Sequence, residues 1–230
     1  MASAPDVVFV SYEEPNAEEN FARLLAFAPH AKRVHHVEGI FNAYRAALAL
    51  VVTPYFFLVD GDSWILDGFA FTAPIDPSRA EIWMWLAKNA VNGLEHLNGS
   101  VKLVSHKAIL SMNPAALDYS ASMRGPRSVI GEVASENRFN ASPFLAWRAG
   151  FRECAKLASG LVDHPSVPRL LQVWQTVGKY KPNGTWCMLG AEMGASYGEK
   201  WRGTDAMKAI NDMAWQRTEF ERVARERTES

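Results

Sequence analysis

The first sixty residues alternate between short apolar runs and stretches with helical periodicity. Residues 6–11 form an almost wholly apolar run, which is typical of a strand buried in a parallel sheet. Residues 16–28 place apolar side chains three and four positions apart, as one face of a helix does. A short strand at 32–37, a helical stretch at 40–50 and an apolar strand at 55–59 complete the series. This order predicts a doubly wound α/β sheet.

The second half of the chain is less regular. Pro143 is well placed at the start of a helix, because proline fits the first helical turn. Trp147 and Phe151 then begin an apolar stripe along this helix. The stretch 178–203 is rich in glycine and aromatic residues and is predicted to be irregular. The remaining predicted elements are strands at 81–86 and 100–104 and helices at 143–161, 166–177 and 204–226.

An acidic pair directly follows the third predicted strand, in the sequence Asp60-Gly61-Asp62. Ligands of doubly wound sheets bind beyond the carboxyl ends of the strands. Two carboxylates separated by a glycine can both point out of a sharp turn, and oxygen-rich sites suit Mg²⁺ or Mn²⁺. The sequence therefore predicts a metal site at Asp60 and Asp62, with an ordinary solvated turn as the alternative.

Several motifs of other α/β enzymes are absent from the sequence. It contains no Gly-x-Gly-x-x-Gly fingerprint, no Gly-x-x-x-x-Gly-Lys-Ser/Thr phosphate loop and no His-Glu-x-x-His. These absences argue against a dinucleotide fold, a P-loop enzyme and a zinc protease of that type. What remains is a metal that bridges a nucleotide diphosphate and neutralises charge on the leaving group.

Charge and composition narrow the class of partner. The chain carries 24 Lys and Arg against 25 Asp and Glu, so its formal net charge is −1. Bulk charge will not drive it onto nucleic acid, and any such contact needs a local basic patch. Its two cysteines, Cys154 and Cys187, cannot form a disulfide framework or a four-thiolate zinc site. With no apolar run near 18 residues and no signal-peptide pattern, we expect no membrane contact and a cytoplasmic protein.

Three stretches together resemble a known family. They are Val-Phe-Val-Ser-Tyr at 8–12, Gly-Ile-Phe-Asn-Ala-Tyr-Arg-Ala-Ala at 39–47 and Phe-Leu-Val-Asp-Gly-Asp at 57–62. These resemble the nucleotide-sugar half of GT-A glycosyltransferases, and more narrowly the TET-associated glycosyltransferases of bacteriophages. The long run at 151–158 is specific to the narrower family, whereas an Asp-x-Asp is not. Further matching stretches are 11–16, 32–35, 92–95, 101–103, 139–140, 143–144, 147–148 and, more loosely, 210–212.

The resemblance implies a fold and a role for each of three segments of the chain. The implied fold is GT-A-like (Rossmann-like), with a mixed, mostly parallel sheet flanked by helices and a helical C-terminal portion. Residues 1–230 are expected to form a single glycosyltransferase domain. Within it, 1–75 would bind the nucleotide sugar, 76–160 the acceptor, and 161–230 would form a helical extension.

The implied reaction is transfer of a sugar from a nucleotide sugar, a UDP-sugar in particular, to a 5-hydroxymethylpyrimidine in phage DNA. The acceptor would be 5-hydroxymethylcytosine or 5-hydroxymethyluracil, and a partner TET-like dioxygenase would make its hydroxymethyl group. The transfer is expected to be inverting and to need Mn²⁺ or Mg²⁺. The chain differs from the family at two positions. It carries His36 where family members often have a glycine, and Glu38 where they often have a basic residue.

The resemblance also assigns roles around the donor. Asp62 would be the main metal ligand, and Asp60 would contact the ribose or a metal-bound water. Tyr12 and Glu14 would hold the uracil, with a rim aromatic that covers the sheet edge as the less favoured alternative for Tyr12. The expected nucleotide-sugar contacts are Ser11, Tyr12, Glu14, Asn42, Arg45, Asp60 and Gly61.

Inverting transfer needs a general base that takes the proton of the acceptor hydroxyl. Downstream of the acidic pair the candidates include Asp118 and Glu132, in that order of preference, followed by Glu95 and Glu136. For each of them a solvated carboxylate is the alternative. Arg148 and Arg152 recur on one helix face with Lys156 and could bind phosphate of the donor or of DNA, or form a solvated helix face.

Three rival interpretations stay open from the sequence. The same fold could act on a glycan, a protein or a small molecule instead of DNA. A nucleotidyltransferase also uses paired acids and Mg²⁺, but Glu13-Glu14-Pro15 is the wrong chemistry for its phosphate-binding loop. A non-catalytic carbohydrate- or DNA-binding module is suggested by the eight tryptophans.

Overall fold

The computed structural model describes residues 4–228 except 73–75 and 77–79, and only the backbone of 119 and 120. The described chain divides into two compact units. The first contains the residues up to Asn89 together with Leu94–Arg138. The second contains Ala90–Gly93 and the residues from Phe139 onward. The helix predicted at 143–161 therefore belongs to the second unit, and the role of each part in sugar transfer stays a prediction.

The first unit alternates strands and helices in its first sixty residues, as the sequence predicts. Its elements are β1 (Asp6–Ser11), α1 (Ala17–Phe27), β2 (Lys32–His35), α2 (Ile40–Ala47) with a 3₁₀ turn at Leu48–Leu50, β3 (Tyr55–Asp60), β4 (Ser63–Ile65), β5 (Ile82–Asn89), β6 (Glu95–His96), β7 (Val101–Ser105), α3 (His106–Leu110), α4 (Tyr119–Ser122) and β8 (Arg127–Asn137).

The described strands form one mixed sheet in the order β2-β1-β3-β7-β5-β8-β4, with β6 paired to β5. Strands β1, β2, β3, β5 and β8 run in one direction, and β4, β6 and β7 run in the other. Helices lie on both faces of the sheet. The predicted α/β class, with a mostly parallel sheet flanked by helices and a helical C-terminal part, is confirmed.

Strand β1 is apolar from Val7 to Val10 because both of its faces are covered. Val7 and Phe9 pack into a cluster that includes Leu24 of α1. Val8 packs into a separate cluster on the opposite face, which includes Tyr44 of α2. Alternate residues of a strand point to opposite faces, so a strand between two helical layers needs apolar residues at every position. The polar residues of this strand, Asp6 and Ser11, are therefore confined to its two ends.

Strand β8 is an element that the sequence pattern did not indicate. Its pairing with β5 is interrupted, because Trp85 pairs with Ile130 whereas the next residue, Leu86, pairs with Val133. Residues 131 and 132 are therefore a bulge, which breaks the alternation of inward and outward side chains. The strand is also largely exposed or half-buried before Ala134. A period-two pattern could not be detected in such a run.

The second unit is helical. The helices predicted at 143–161 and 166–177 are confirmed, with ends that differ by up to three residues, whereas the single helix predicted over 204–226 is interrupted at Asp212. Among the described residues no helix is both long and apolar enough to cross a membrane. The elements are α5 (Pro143–Ala158), α6 (Val167–Thr176), α7 (Gly184–Lys200), a 3₁₀ helix at Asp205–Asn211 and α8 (Met213–Thr228).

The prediction that 178–203 is irregular is wrong, because α7 occupies most of it. Three glycines of α7 recur every fourth residue and face α5, where a Cβ would collide with main-chain carbonyl groups. Glycine usually weakens a helix, yet here it permits two helices to approach more closely than side chains allow. The colliding pairs are Gly190 with Trp147, Gly194 with Phe151, and Gly198 with Ala155.

Both cysteines lie in this close helix pair and are free and buried. Burial raises the pKa of the Cys187 thiol to about 12. Burial also raises the pKa of Cys154, with smaller contributions from Glu153 and Cys187. Both thiols therefore stay protonated at neutral pH and behave as small packing residues.

Candidate active site at the carboxyl ends of the parallel strands

Three neighbouring parallel strands end at the same edge of the sheet, and each ends in a polar residue. Ser11 is the last residue of β1, His35 of β2 and Asp60 of β3. The register pairs Ser11 with His35, and Val10 with Asp60. The Ser11 hydroxyl lies 2.9 Å from His35 Nδ1. The predicted site residues Ser11 and Asp60 thus end neighbouring strands, and their role in binding a nucleotide sugar stays a prediction.

The turn after β3 is packed against the loop after β1, and Gly61 makes this possible. A Cβ at Gly61 would lie 2.8 Å from Glu14 Oε2 and 2.9 Å from Ser11 Cβ. Asn20 of α1, which is fully buried, donates to the Gly61 carbonyl at 2.9 Å. Glu14 in turn accepts from the Tyr12 amide at 2.7 Å. Close packing, rather than flexibility, is thus the reason for the glycine between the two carboxylates.

Asp60 is held by two donors on one carboxylate oxygen. Its Oδ1 accepts from the Tyr44 hydroxyl at 2.8 Å and from Lys102 Nζ at 3.2 Å. The Asp60 side chain is 26% exposed, whereas that of Lys102 is fully buried. Tyr44 comes from α2 and Lys102 from β7, so two elements from different parts of the chain fix this carboxylate. Neither residue was among the predicted site residues.

Lys102 is an unusual residue for the centre of a sheet. It lies on β7, pairs with Leu58 of β3 and Met84 of β5, and has no exposed surface. Its Nζ donates to the Gly99 carbonyl as well as to Asp60, and it lies 4.8 Å from the centroid of the Tyr44 ring. A buried ammonium is costly unless it is paired and hydrogen-bonded, and these partners meet that requirement. The detectable sequence signal was a single lysine within the apolar run of a strand.

Asp62 lies in the turn between β3 and β4 and is half-buried. Its carbonyl accepts from the Arg138 amide at 2.7 Å, which ties this turn to the end of β8. The Arg138 side chain donates to Glu136 at 2.8 Å and lies 3.9 Å over the Trp64 ring. The two carboxylates of the pair therefore have different surroundings, since Asp60 meets a buried ammonium and Asp62 belongs to the turn that contacts β8.

Two further residues that were predicted to contact the nucleotide sugar lie on the exposed face of α2. Asn42 donates to the carbonyl of Glu38 at 3.1 Å, so it closes the first turn of its own helix. The Arg45 guanidinium lies 5.6 Å from the ring centroid of Phe41, one helical turn earlier. The described contacts of both residues are local, whereas Tyr44 on the buried face reaches Asp60. A diphosphate role for Asn42 and Arg45 stays a prediction.

The two predicted base candidates lie in different local structures. Asp118 precedes the short helix α4, and its Oδ1 accepts from the Ala121 amide at 2.9 Å, as a helix cap does. Glu132 is exposed in the bulge of β8. For neither residue does a described contact connect it with Asp60, and their catalytic roles stay predictions.

Arg148 and Arg152 are engaged within the second unit. Arg148 Nε donates at 2.7 Å to Gln216, which is fully buried on α8. Arg152 donates to the Ile210 carbonyl at 2.7 Å and to the Asn211 side chain at 2.8 Å. They thus join α5 to the segment that begins α8. A phosphate role for these arginines stays a prediction.

A serine-hydrolase motif in the sequence does not have the required local structure. Residues 194–198 have the order Gly-Ala-Ser-Tyr-Gly, but they lie inside α7 rather than on a turn from a strand to a helix. The Ser196 hydroxyl donates to the Glu192 carbonyl one helical turn earlier, at 3.2 Å. This serine is therefore a helix residue and not a nucleophile of that type.

Of the two predicted metal ligands, Asp60 does not suit a divalent cation, which leaves Asp62. A buried ammonium 3.2 Å from Asp60 Oδ1 opposes a divalent cation at that oxygen. Among the described residues there is no group of three or more His, Cys, Asp or Glu side chains placed to hold a metal. Asp62 alone would leave most of the coordination shell to phosphate oxygens and waters, which Mg²⁺ accepts. We therefore derive no catalytic step through a metal.

Comparison with known proteins adds little to this geometry. No family model and no curated protein matches the chain. A glycosyltransferase involved in the glycosylation of the major capsid of PBCV-1 is similar over 55% of this chain and 82% of that one, with 16% identity and a TM-score of 0.35. HddC from Yersinia pseudotuberculosis is similar over 58% and 72%, with 12% identity and a TM-score of 0.35. Likenesses this distant carry no functional argument.

Proposed function

We propose that this protein is a glycosyltransferase that moves a sugar from a nucleotide sugar, a UDP-sugar in particular, to the hydroxymethyl group of a 5-hydroxymethylpyrimidine in phage DNA. The observation that carries the proposal is the convergence of Ser11, His35 and Asp60 at one edge of the parallel strands. That edge is where doubly wound sheets bind nucleotides. The choice of a sugar nucleotide and of a DNA acceptor comes from the sequence resemblance.

The proposed donor site is the strand edge together with the loop after β1. Tyr12 is half-buried in this loop and would stack on the uracil, and the hydrogen bond from its amide to Glu14 keeps the loop in place. Asp60 would accept from a hydroxyl of the donor. Arg33 donates from Nε to Ser11 at 3.0 Å and pairs with Glu18 at 2.6 Å, so at this edge the diphosphate would have to share its guanidinium with Glu18. Asp60 is positioned by residues of α2 and β7, whereas Tyr12 is positioned by Glu14 of its own loop.

The proposed chemistry is a displacement at the anomeric carbon. The hydroxymethyl oxygen of the base forms a bond to that carbon, and the bond from the carbon to the diphosphate oxygen breaks, so that the nucleoside diphosphate leaves with the electron pair. A carboxylate takes the proton of the hydroxymethyl group. Asp118 is the first candidate for this base and Glu132 the second. An Mn²⁺ or Mg²⁺ ion held by Asp62, if bound, would neutralise charge on the diphosphate.

The experiment that tests the proposal offers several acceptors to the full chain. Duplexes containing 5-hydroxymethylcytosine, 5-hydroxymethyluracil or unmodified pyrimidines are incubated with a panel of nucleotide sugars and Mn²⁺, and the nucleosides are analysed by mass spectrometry. We expect a hexose mass on the hydroxymethylated base with a UDP-sugar and none on unmodified DNA. Transfer to a glycan, protein or small molecule in place of DNA would support the glycosyltransferase class and refute the DNA acceptor.

A further inference from the structure

We infer that Lys102 is a positioning residue of the proposed nucleotide site: it commits Asp60 to hydrogen bonding and keeps divalent cations away from that carboxylate. The inference rests on the proposed function only in treating this strand edge as the donor site. Its physical basis is the pairing of a fully buried ammonium with a carboxylate that is 26% exposed at the end of β3. The pair therefore connects the interior of the sheet to the surface where a ligand would bind.

The first step of the argument is that one oxygen of Asp60 is already satisfied. Oδ1 accepts from both Tyr44 and Lys102, and both donors are fully buried. The ammonium cannot turn away, since it also donates to Gly99 and lies against the Tyr44 ring. Oδ1 is thus directed into the protein, and only Oδ2 can meet a ligand. A carboxylate presented in this way suits a hydroxyl donor, such as a ribose hydroxyl of the nucleotide.

The second step is electrostatic. Metal–oxygen bonds to Mg²⁺ or Mn²⁺ are about 2.1 Å long, so a cation on Oδ2 would lie about 5–7 Å from the ammonium. Even at the partly exposed Asp60 side chain, this separation gives repulsion between the unit charge of the ammonium and the double charge of the cation. Removing the lysine charge should therefore make Asp60 a better metal ligand.

The same sheet contains a matched control pair at the other end of its parallel strands, on β1 and β2 instead of β3 and β7. Lys32 of β2 donates to Asp6 of β1 at 2.7 Å and to the Leu50 carbonyl at 2.6 Å. This pair likewise consists of a lysine, an aspartate and a main-chain carbonyl. Asp6 is the first residue of β1, so the pair lies at the amino end of the strands and away from the proposed site. Loss of this lysine charge should leave metal binding at the carboxyl ends unchanged.

The test measures Mn²⁺ binding to the full chain by electron paramagnetic resonance, without a sugar donor. We expect Lys102→Met to bind Mn²⁺ about ten-fold more tightly than the wild type, and Lys32→Met to bind it with unchanged affinity. Adding Asp60→Asn to Lys102→Met should abolish the gain. Circular dichroism checks that each variant is folded, and Tyr44→Phe, which removes a donor without a charge, should change the affinity less than three-fold.

A second readout addresses the hydroxyl acceptor role. The wild type should bind UDP more tightly than 2′,3′-dideoxy-UDP, and Lys102→Met should reduce that ratio because Asp60 is no longer held in place. Unchanged Mn²⁺ affinity in Lys102→Met, an equal gain in Lys32→Met, or no Mn²⁺ binding to any of the proteins would overturn the inference. A gain in Mn²⁺ affinity in a protein that transfers no sugar would instead refute the proposed function alone.

Discussion

The contact between α5 and α7 makes a quantitative prediction for Gly194→Ala. In an exposed helix this substitution stabilises by about 1 kcal/mol, because alanine has the higher helix propensity. Here the new Cβ would collide with the carbonyl oxygen of Phe151, which is main chain and cannot move without its helix. Inserting a methyl group into a closely packed contact costs about 1–3 kcal/mol and sometimes more. Because Gly190 and Gly198 repeat the same contact, separating the helices loosens all three.

We therefore expect Gly194→Ala to lower the free energy of unfolding by about 1–2 kcal/mol, despite its better helix propensity. Urea titration followed by far-ultraviolet circular dichroism measures this change, and the corresponding loss in melting temperature is about 2–8 °C. The matched control is Gly131→Ala, where a Cβ meets nothing within 4 Å. That variant should stay within about 0.5 kcal/mol of the wild type.

Two results would contradict this reasoning. An increase in stability for Gly194→Ala would show that the glycine does not contact α5 closely and that helix propensity decides the outcome. An equal loss in Gly131→Ala would show that the effect is general to glycine and not specific to the helix contact. Either result would also remove the explanation for a helix in a glycine-rich stretch.

The remaining predictions concern pH, the donor loop and the acceptor. Burial alone would raise the pKa of Asp6, but hydrogen bonds from Lys32 and neighbouring groups outweigh it and hold that pKa well below its usual range. The free energy of unfolding should therefore fall as the pH drops below about 4. In urea titrations, Asp6→Asn should make the free energy of unfolding depend less on pH in this acidic range. Gly61→Ala should weaken UDP binding at least ten-fold in calorimetry with little loss of helix content, since the new Cβ displaces Glu14; unchanged UDP affinity would exclude that site. Asp118→Asn, which retains the helix cap, should bind donor normally but turn over at least 100-fold more slowly, and normal turnover would eliminate it as the base. DNA affinity should fall steeply between 50 and 200 mM salt (about ten-fold or more), and a flat salt response would refute phosphate contacts.

The first half of the fold could be predicted because its signals are local. An apolar run with no alternation, as at 6–11, indicates a strand covered on both faces, and the structure places α1 and α2 on those faces. The same reasoning located Asp60 at the carboxyl edge, because parallel strands bring their ends together wherever they are in the sequence. His35, which ends the neighbouring strand and lies 2.9 Å from the Ser11 hydroxyl, was not among the predicted site residues.

The sequence predictions failed at features that leave no local pattern in the sequence. The glycine content of α7 is typical of a loop. Only the packing against α5 shows that these glycines permit a close contact between two helices. The partner of Lys102 is Asp60, 42 residues earlier, so the sequence shows a lysine in an apolar strand without the carboxylate that explains it. In β8 the bulge at residues 131 and 132 removes the alternation by which a strand is detected.

The two lysine–aspartate pairs on this sheet show how one pairing serves two purposes. Asp6 accepts on both oxygens, since Lys32 donates to Oδ1 while the Val52 amide and both the amide and hydroxyl of Thr53 donate to Oδ2. Both oxygens of Asp6 therefore accept hydrogen bonds from groups within the protein. Asp60 has its two donors on Oδ1 and stands at the edge where polar strand ends converge. The Asp60 side chain is also more exposed, at 26% against 11% for Asp6. This uneven arrangement is compatible with the hydroxyl-accepting role proposed for Asp60, and the comparison of UDP with 2′,3′-dideoxy-UDP tests that role.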